Sequence, residues 1–169
     1  MISMSIVKGG FFPKRHRGQN FLIDGNIVRK IIAAARLTKD SVVLEVGPGK
    51  GALTEELVAH AGRVIAVEID KDLFAALEKE FADIPNLTLI KDDILDIDIA
   101  LLLQRVSQVK GDRLSVIGYR IQPKTSHLKP LTSYSVVANL PYNITSRFFR
   151  KFLESEQRPE RMVVMVQKE

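Results

Sequence analysis

The sequence has 169 residues and a formal net charge of +5, with 46% hydrophobic and 27% charged residues. This length and balance fit one globular domain and exclude a disordered chain. The absence of cysteine excludes disulfides, thiolate metal sites and a cysteine nucleophile, and with only three scattered histidines we expect no metal site. Because no apolar run approaches the roughly 18 residues of a membrane span and no secretory signal is recognisable, we expect a cytoplasmic domain.

The charge is distributed unevenly along the chain. Residues 1–40 carry a net charge of +6 and residues 41–103 a net charge of −8, whereas residues 104–135 carry +5 and residues 136–169 carry +2. An acidic centre between basic segments suits a cationic small ligand together with an anionic polymer. Charge alone leaves open the alternative of a solvated surface with chance clustering.

Hydrophobic periodicity predicts strands that alternate with helices. In chain order, the predicted elements are a helix capped by Asp24, strand Ser41–Val46, a helix containing Leu53 and Leu57, strand Arg63–Ile69, helix Lys71–Ala82, strand Leu87–Ile90, a helix around Ile99–Val106, strand Ser135–Ala138, helix Thr145–Leu153 and strand Met162–Val166. This order indicates an α/β fold, in which a mostly parallel sheet carries helices on both faces. Ligands of such sheets bind beyond the carboxyl ends of the strands.

One polar and basic segment does not fit the alternation. Lys110–Thr132 is interrupted by two glycines and two prolines, and we interpret it as a loop inside a basic insertion at about 107–134. A short extra strand within Leu114–Ile121 is the alternative.

A glycine-rich turn, Glu45–Ala52, lies between the first strand and the following helix. Glycines let the backbone approach a ligand closely, and the start of the helix offers free N–H groups. Glu68 ends the second strand, where a carboxylate can accept hydrogen bonds from both hydroxyls of a ribose, and Asp93 follows the third strand, where it can meet an adenine. The pattern indicates a nucleoside cofactor. The acidic surroundings favour S-adenosylmethionine (SAM) over NAD, whose pyrophosphate they would repel, and a tight turn that binds nothing is the remaining alternative.

The segment Asn139-Leu140-Pro141-Tyr142 follows the fourth predicted strand. Asparagine and proline are ordinary turn formers and tyrosine is often half-buried, so a plain turn is the alternative. A site that binds the amine of a target adenine explains these residue types better than a plain turn does. The Asn139 side-chain oxygen and the Leu140 carbonyl can accept both of its N–H groups and point the nitrogen lone pair at a methyl group, while Pro141 stiffens the turn. Tyr142 can stack on a base that has left its helix.

The chain resembles the ribosomal RNA adenine dimethyltransferase family, and within it the KsgA-type branch more than the Erm branch. The resemblance rests on segments that follow the order of the family, namely Gly18-Gln19-Asn20-Phe21-Leu22, Glu45 to Thr54, Val67-Glu68-Ile69-Asp70, Asp93 and Asn139 to Ile144. It covers almost the whole chain except residues 104–134. It implies a Rossmann-like class I SAM-dependent methyltransferase that dimethylates adenosines of small-subunit ribosomal RNA.

The resemblance also implies which residues form the site, and it implies no metal. The implied cofactor-binding residues are Gln19, Asn20, Leu22, Glu45, Gly47, Gly49, Glu68, Asp93 and Asn139. The implied catalytic residues are Asn139, Leu140, Pro141 and Tyr142.

The sequence departs from the family in two respects. The family's sheet continues past the fifth strand into a small helical domain, which this sequence lacks, and the interval from Asp93 to Asn139 is longer than usual. We therefore expect residues 24–169 to form an incomplete methyltransferase domain that follows a basic arm and cofactor-lid segment, residues 1–23. Two other functions stay open, a truncated domain that binds SAM or RNA without turnover and a DNA adenine amino-methyltransferase.

Within the arm, Lys14, Arg15 and Arg17 directly precede the Gln-Asn-Phe-Leu segment. Beside an adenine pocket these cations are expected to contact RNA phosphates, and a solvated tail is the alternative. The expected partner is the ribosomal RNA of the small ribosomal subunit.

Overall fold

The computed structural model of the chain describes residues 24–107, 115–117 and 133–166. These residues form a six-stranded sheet in the order β4-β3-β2-β1-β5-β6, in which every paired strand runs parallel to its neighbour. The strands are β1 Val42–Val46, β2 Arg63–Glu68, β3 Leu87–Lys91, β4 Ser115–Ile117, β5 Ser135–Leu140 and β6 Arg161–Val166. The helices are α1 Gly25–Ala35, α2 Ala52–His60, α3 Lys71–Glu80, α4 Ile99–Ser107 and α5 Thr145–Leu153, with a 3₁₀ helix at Tyr142–Ile144.

Alternating side chains of the strands build a separate core on each face of the sheet. Val43 of β1 packs in the core formed with α1, α2 and α3, whereas Leu44 and Val46 pack in the core formed with α4 and α5. Central strands that are covered on both faces have near-continuous apolar sequences. The sequences of β1, VVLEV, and β2, RVIAVE, show this pattern. The predicted α/β fold with helices on both faces is therefore confirmed. Of the helices described, none combines the length and the apolarity that crossing a membrane requires.

The fourth predicted strand extends further than its sequence suggests. The prediction ended this strand at Ala138, but β5 continues through Asn139 and Leu140 because these residues pair in register with Met165 and Val166 of β6. Asn139 and Leu140 therefore belong to the end of the strand rather than to the loop after it.

The interpretation of the 110–132 segment as a loop is wrong at Ser115–Ile117. These residues form β4, which pairs with Leu89–Lys91 at the outer edge of β3. The extra-strand alternative is correct there, and the sheet has six strands instead of the five predicted. The physical reason is that β4 pairs the backbone groups on the outer side of β3, which local sequence patterns do not reveal.

The helices that follow β1 and β2 begin in different ways. The Asp70 carboxylate caps α3 by accepting hydrogen bonds from the N–H groups of Asp72 at 2.9 Å and Leu73 at 3.3 Å. By contrast, α2 has no side-chain cap, and the residue just before it, Gly51, has φ +83°. A Cβ atom at Gly51 would lie 2.6 Å from the ring of Phe81. Both the backbone conformation and the packing against Phe81 therefore require glycine at this position.

We expect Gly51→Ala to lower the free energy of unfolding by about 2–4 kcal/mol, since it adds backbone strain to a steric overlap. Gly25→Ala is the matched control, because a Cβ there would lie 3.8 Å from the nearest side-chain atom, an ordinary contact. Urea titration of both variants measures the difference. Equal stability of the two variants would contradict the packing argument.

Candidate active site

The carboxyl ends of the parallel strands meet at one edge of the sheet. Strand order runs outward from β1 to β4 on one side and from β5 to β6 on the other, so β1 and β5 flank the switch point where ligands of such sheets bind. The glycine-rich turn follows β1, Glu68 ends β2, Asp93 follows β3, and Asn139 and Leu140 end β5. The structure thus brings these predicted site residues to the same edge.

The glycine-rich turn lies beside the end of β5, because Val46 and Ala138 are paired in the adjacent strands β1 and β5. Gly47 has φ +71°, and its N–H donates a hydrogen bond to the carbonyl of Val67 at 3.0 Å. A Cβ atom at Gly47 would lie 3.6 Å from the backbone oxygen of Asn139. Any side chain at this position would therefore occupy the space between the turn and the Asn139 segment.

Glu68 connects the glycine-rich turn to the start of α3. Its Oε2 accepts from the Gly49 N–H at 3.1 Å, and its Oε1 accepts from the Asp70 N–H at 2.8 Å. Burial raises the pKa of the Glu68 carboxyl, and these two backbone hydrogen bonds counteract the shift. Each carboxylate oxygen keeps a lone pair, so the group can still accept hydrogen bonds from a ligand.

Asp93 lies in a tight turn just beyond β3. Its Oδ1 accepts from the Leu95 N–H at 2.9 Å, and its backbone carbonyl accepts from the Asp96 N–H at 2.9 Å. The preceding residue, Asp92, donates its N–H to the backbone carbonyl of Glu68 at 3.2 Å. The turn after β3 is therefore held against the end of β2, and the Asp93 carboxylate is oriented by its own loop.

Glu45 differs from the other acidic residues of this edge because its carboxyl group is packed under α2. The residue is 1% exposed, and its Oε2 accepts from the Thr54 hydroxyl at 2.7 Å. Burial raises the pKa of Glu45 to about 8, the Thr54 hydrogen bond opposes this shift, and the neighbouring charge of Glu68 adds to it. At neutral pH the group is mostly protonated, so it supplies little negative charge to a cationic ligand.

The Asn-Leu-Pro-Tyr segment runs from a shielded inner end to an exposed outer end. The Oδ1 atom of Asn139 is shielded from solvent, and the side chain of Leu140 is buried in the core. The Pro141 carbonyl accepts from the Thr145 hydroxyl at 3.2 Å, which attaches the segment to α5. Tyr142 is 61% exposed. A base that arrives from solvent meets the tyrosine ring before it meets Asn139.

Some predicted site residues are not tested by this geometry. Gln19, Asn20, Leu22, Lys14, Arg15 and Arg17 lie outside the described residues. Among the residues that the structure does describe, no group of three histidine, aspartate or glutamate side chains converges as metal ligands would.

Sequence reasoning assigned no role to two residues that support the site. Thr54 holds the Glu45 carboxyl, and Lys151 of α5 donates from Nζ to the backbone carbonyl of Leu95 at 3.1 Å, in the loop that contains Asp93. A polar residue on the inner face of a predicted helix was the available signal for Thr54. Nothing in the sequence links Lys151 to a loop that lies 56 positions earlier.

Comparison with known proteins identifies the relatives of this chain. Residues 11–169 match the family model of ribosomal RNA adenine dimethylases. The chain is 44% identical over 160 residues to ribosomal RNA small subunit methyltransferase A of Moorella thermoacetica, covering 95% of this chain and 50% of that protein. It is 39% identical over 156 residues to the protein of the same name from Staphylococcus carnosus, covering 92% of this chain and 46% of that protein. The chain thus spans about half the length of these relatives.

Two solved structures share both fold and sequence similarity with the chain. One is the 23S rRNA methyltransferase ErmE, with a TM-score of 0.61 and 28% identity over 86% of this chain and 48% of that chain. The other is a dimethyladenosine transferase from Plasmodium falciparum, with a TM-score of 0.62 and 25% identity over 88% of this chain and 44% of that chain. The predicted Rossmann-like methyltransferase fold is confirmed, and the chain belongs to the ribosomal RNA adenine dimethylase family.

Proposed function

We propose that the chain forms the cofactor-binding and catalytic part of a SAM-dependent methyltransferase that dimethylates adenosine amines in small-subunit ribosomal RNA. The observation that carries this proposal is the position of Gly47 beside Asn139, since the residues just before them, Val46 and Ala138, are paired in adjacent strands. It puts the turn that suits a nucleoside cofactor beside the segment that suits an adenine amine. Family membership supports the same reaction, and the names of the relatives support the small subunit as its source.

The residues at the carboxyl edge fit SAM by their chemistry. Glu68 retains acceptor capacity for the two hydroxyls of a ribose, and Asp93 is oriented beside it for the adenine. The space at Gly47, which a Cβ would fill, admits the amino-acid part of the cofactor. When bound, SAM supplies the methyl group, carried on a sulfonium that the acidic edge tolerates and that a basic edge would repel.

The Asn139 segment acts by positioning rather than by proton abstraction, because an asparagine amide is no base at neutral pH. We assign the Asn139 Oδ1 and the Leu140 carbonyl as the acceptors of the two N–H groups of the target amine. Pro141 holds the acceptors in place, and Tyr142 stacks on the adenine that enters from solvent. The shielded location of Oδ1 strengthens such a hydrogen bond, since water does not compete for it.

Glu45 has an indirect role in this proposal. Its carboxyl is bonded to Thr54 under α2 rather than directed at the edge, so it supports the cofactor by fixing α2 relative to the end of β1. Gln19, Asn20 and Leu22 remain proposed cofactor contacts, Lys14, Arg15 and Arg17 remain proposed RNA contacts, and a cytoplasmic location follows from a ribosomal substrate.

Asn139→Ala is expected to reduce methyl transfer by about 10²- to 10³-fold, because it removes one preorganised acceptor of the target amine. The measurement is incorporation of label from tritiated SAM into small ribosomal subunits whose RNA lacks these methyl groups. Asn86→Ala serves as the control for general destabilisation, since Asn86 donates to the carbonyls of Val58 and Ala61 at the opposite edge of the sheet.

Three outcomes of this assay would contradict the proposal. An Asn139→Ala variant as active as the parent chain would exclude the assigned acceptor. A parent chain that binds SAM without transferring label would favour a binding domain without turnover. Labelling of duplex DNA in place of ribosomal subunits would favour a DNA adenine methyltransferase.

Glu45→Gln tests whether this buried carboxyl is neutral. The pKa of Glu45 is about 8 in the folded chain against 4.5 as its ordinary value, so the folded state holds the proton more tightly. Unfolding free energy of the parent chain should therefore fall as pH rises from about 4.5 to about 8. Glutamine cannot ionise and keeps an oxygen for Thr54, so the variant should lose the part of this pH dependence that Glu45 contributes and keep only the part that comes from Glu68, whose pKa burial also raises.

Urea titrations across this pH range compare the parent chain, Glu45→Gln and the control Glu55→Gln, which makes the same change at an exposed position of α2. The control is expected to follow the parent chain. If Glu45→Gln keeps the full pH dependence, Glu45 is not the group responsible, and its proposed neutral state is wrong.

A further inference from the structure

Helix α5 presents a basic face that neither the sequence analysis nor the proposed site uses. The helix reads TSRFFRKFL. Phe148 and Phe152 are fully buried on one side, and Arg147 and Arg150 are exposed on the other. Residues three apart on a helix are neighbours on its surface, with Cβ atoms about 5–6 Å apart. The two guanidinium groups therefore form a pair on one exposed face.

Contacts with the rest of the fold fix the orientation of this face. Phe148 and Phe152 are buried in the core that α5 shares with α4 and the sheet, and Phe149 packs against that core. On the same helix, Lys151 donates to the Leu95 carbonyl. A helix held this way cannot rotate about its axis without breaking the core. Arg147 and Arg150 are thus presented to solvent from a rigid element.

The basic face lies next to the entrance of the proposed adenine pocket. The 3₁₀ helix that starts at Tyr142 leads into α5 without an intervening loop, and the Thr145 hydroxyl bonds back to Pro141. At about 2.0 Å per 3₁₀ residue and 1.5 Å per α-helical residue, Arg147 and Arg150 lie within about 15 Å of Tyr142 along the chain. Long arginine side chains cover much of this distance.

Charge on the sheet edge determines which side suits a polyanion. Glu68, Asp92 and Asp93 follow β2 and β3, on one side of the switch point, and these carboxylates repel phosphates. Helix α5 follows β5 on the other side, where its exposed charges include Arg147 and Arg150. Arg150 contacts Glu154 at 3.9 Å, but both side chains are about three-quarters exposed, at 75% and 73%. Such a pair is weak and is readily exchanged for a phosphate.

We propose that Arg147 and Arg150 bind the backbone phosphates of the RNA strand on either side of the adenosine that enters at Tyr142. This inference rests on the proposed function, to which it adds the surface that receives the strand. Guanidinium groups bind phosphate oxygens in a bidentate manner, and such contacts set the register of a strand without reading its bases. The two arginines therefore place the adenosine and do not select its sequence.

The test compares Arg147→Ala/Arg150→Ala with Lys30→Ala/Lys79→Ala, which removes the same charge from exposed positions of α1 and α3 on the opposite face of the sheet. Affinity for a single-stranded, adenosine-containing RNA is measured against salt concentration for both variants and the parent chain. Each phosphate contact to a single strand contributes about 0.7 to the slope of log affinity against log salt. We expect the arginine variant to lose about 1.4 from the slope and to bind roughly tenfold more weakly near physiological salt. The lysine variant should match the parent chain.

Methyl transfer to undermethylated small subunits separates this inference from the proposed function. The arginine variant should show a raised KM for RNA, an unchanged kcat at saturating RNA and an unchanged affinity for SAM. A slope equal to that of the lysine variant, with methyl transfer intact, overturns the arginine surface and leaves the proposed function standing. If the parent chain binds RNA through these arginines but transfers no methyl group, the proposed function is overturned and the arginine surface stands. If the arginine variant loses binding to phosphatidylserine vesicles but keeps its binding to RNA, the inference is also overturned, because the surface would then contact a membrane.

Discussion

The buried carboxylate of Glu68 is the interaction on which the geometry of the carboxyl edge depends. Its two oxygens accept from Gly49, in the turn after β1, and from Asp70, at the start of α3. Its backbone carbonyl accepts from Asp92, in the turn after β3. One residue thereby connects the segments that follow three neighbouring strands, whose relative positions no local conformational preference determines. The same residue offers acceptors to a ribose, so the shape of the pocket and its ligand chemistry depend on one group.

The electrostatic cost of this arrangement explains the behaviour of Glu45. Glu45 and Glu68 lie on adjacent strands, both are buried, and burial raises the pKa of each. Two nearby carboxylates in a low-dielectric region are not both ionised easily. Two backbone N–H groups make Glu68 the better carrier of negative charge, whereas Glu45 has one hydroxyl donor and stays mostly protonated at neutral pH. Glu45 therefore supports the fold through Thr54, and Glu68 presents its remaining acceptor capacity to the ligand.

Local signals predicted most of the fold, and pairings distant in sequence account for what they missed. Asp24 as the cap of α1 and the glycine-rich turn follow from backbone chemistry within a few residues. The strand at Ser115–Ile117 exists because the outer side of β3 accepts a partner, and β5 includes Asn139 because β6 pairs with it. The candidate site was predictable as a set of residues at strand ends. The protonation of Glu45 was not, since it depends on the helix that covers it.

The topology of the sheet lets one edge serve two ligands of opposite charge. The two cores put α1, α2 and α3 on one face of the sheet and α4 and α5 on the other, and the strand order puts β2 and β3 on one side of β1 and puts β5 and β6 on the other. Acidic side chains after β2 and β3 therefore lie on one side of the switch point, and the basic helix after β5 lies on the other. A cationic cofactor and a polyanionic substrate can then approach the same point, where Gly47 lies beside Asn139, and each can do so from the side that carries the opposite charge. An arginine in place of Gly47 would remove this separation, because its side chain would start beside the backbone of Asn139, so the constraint acts on the cofactor side and the RNA side together.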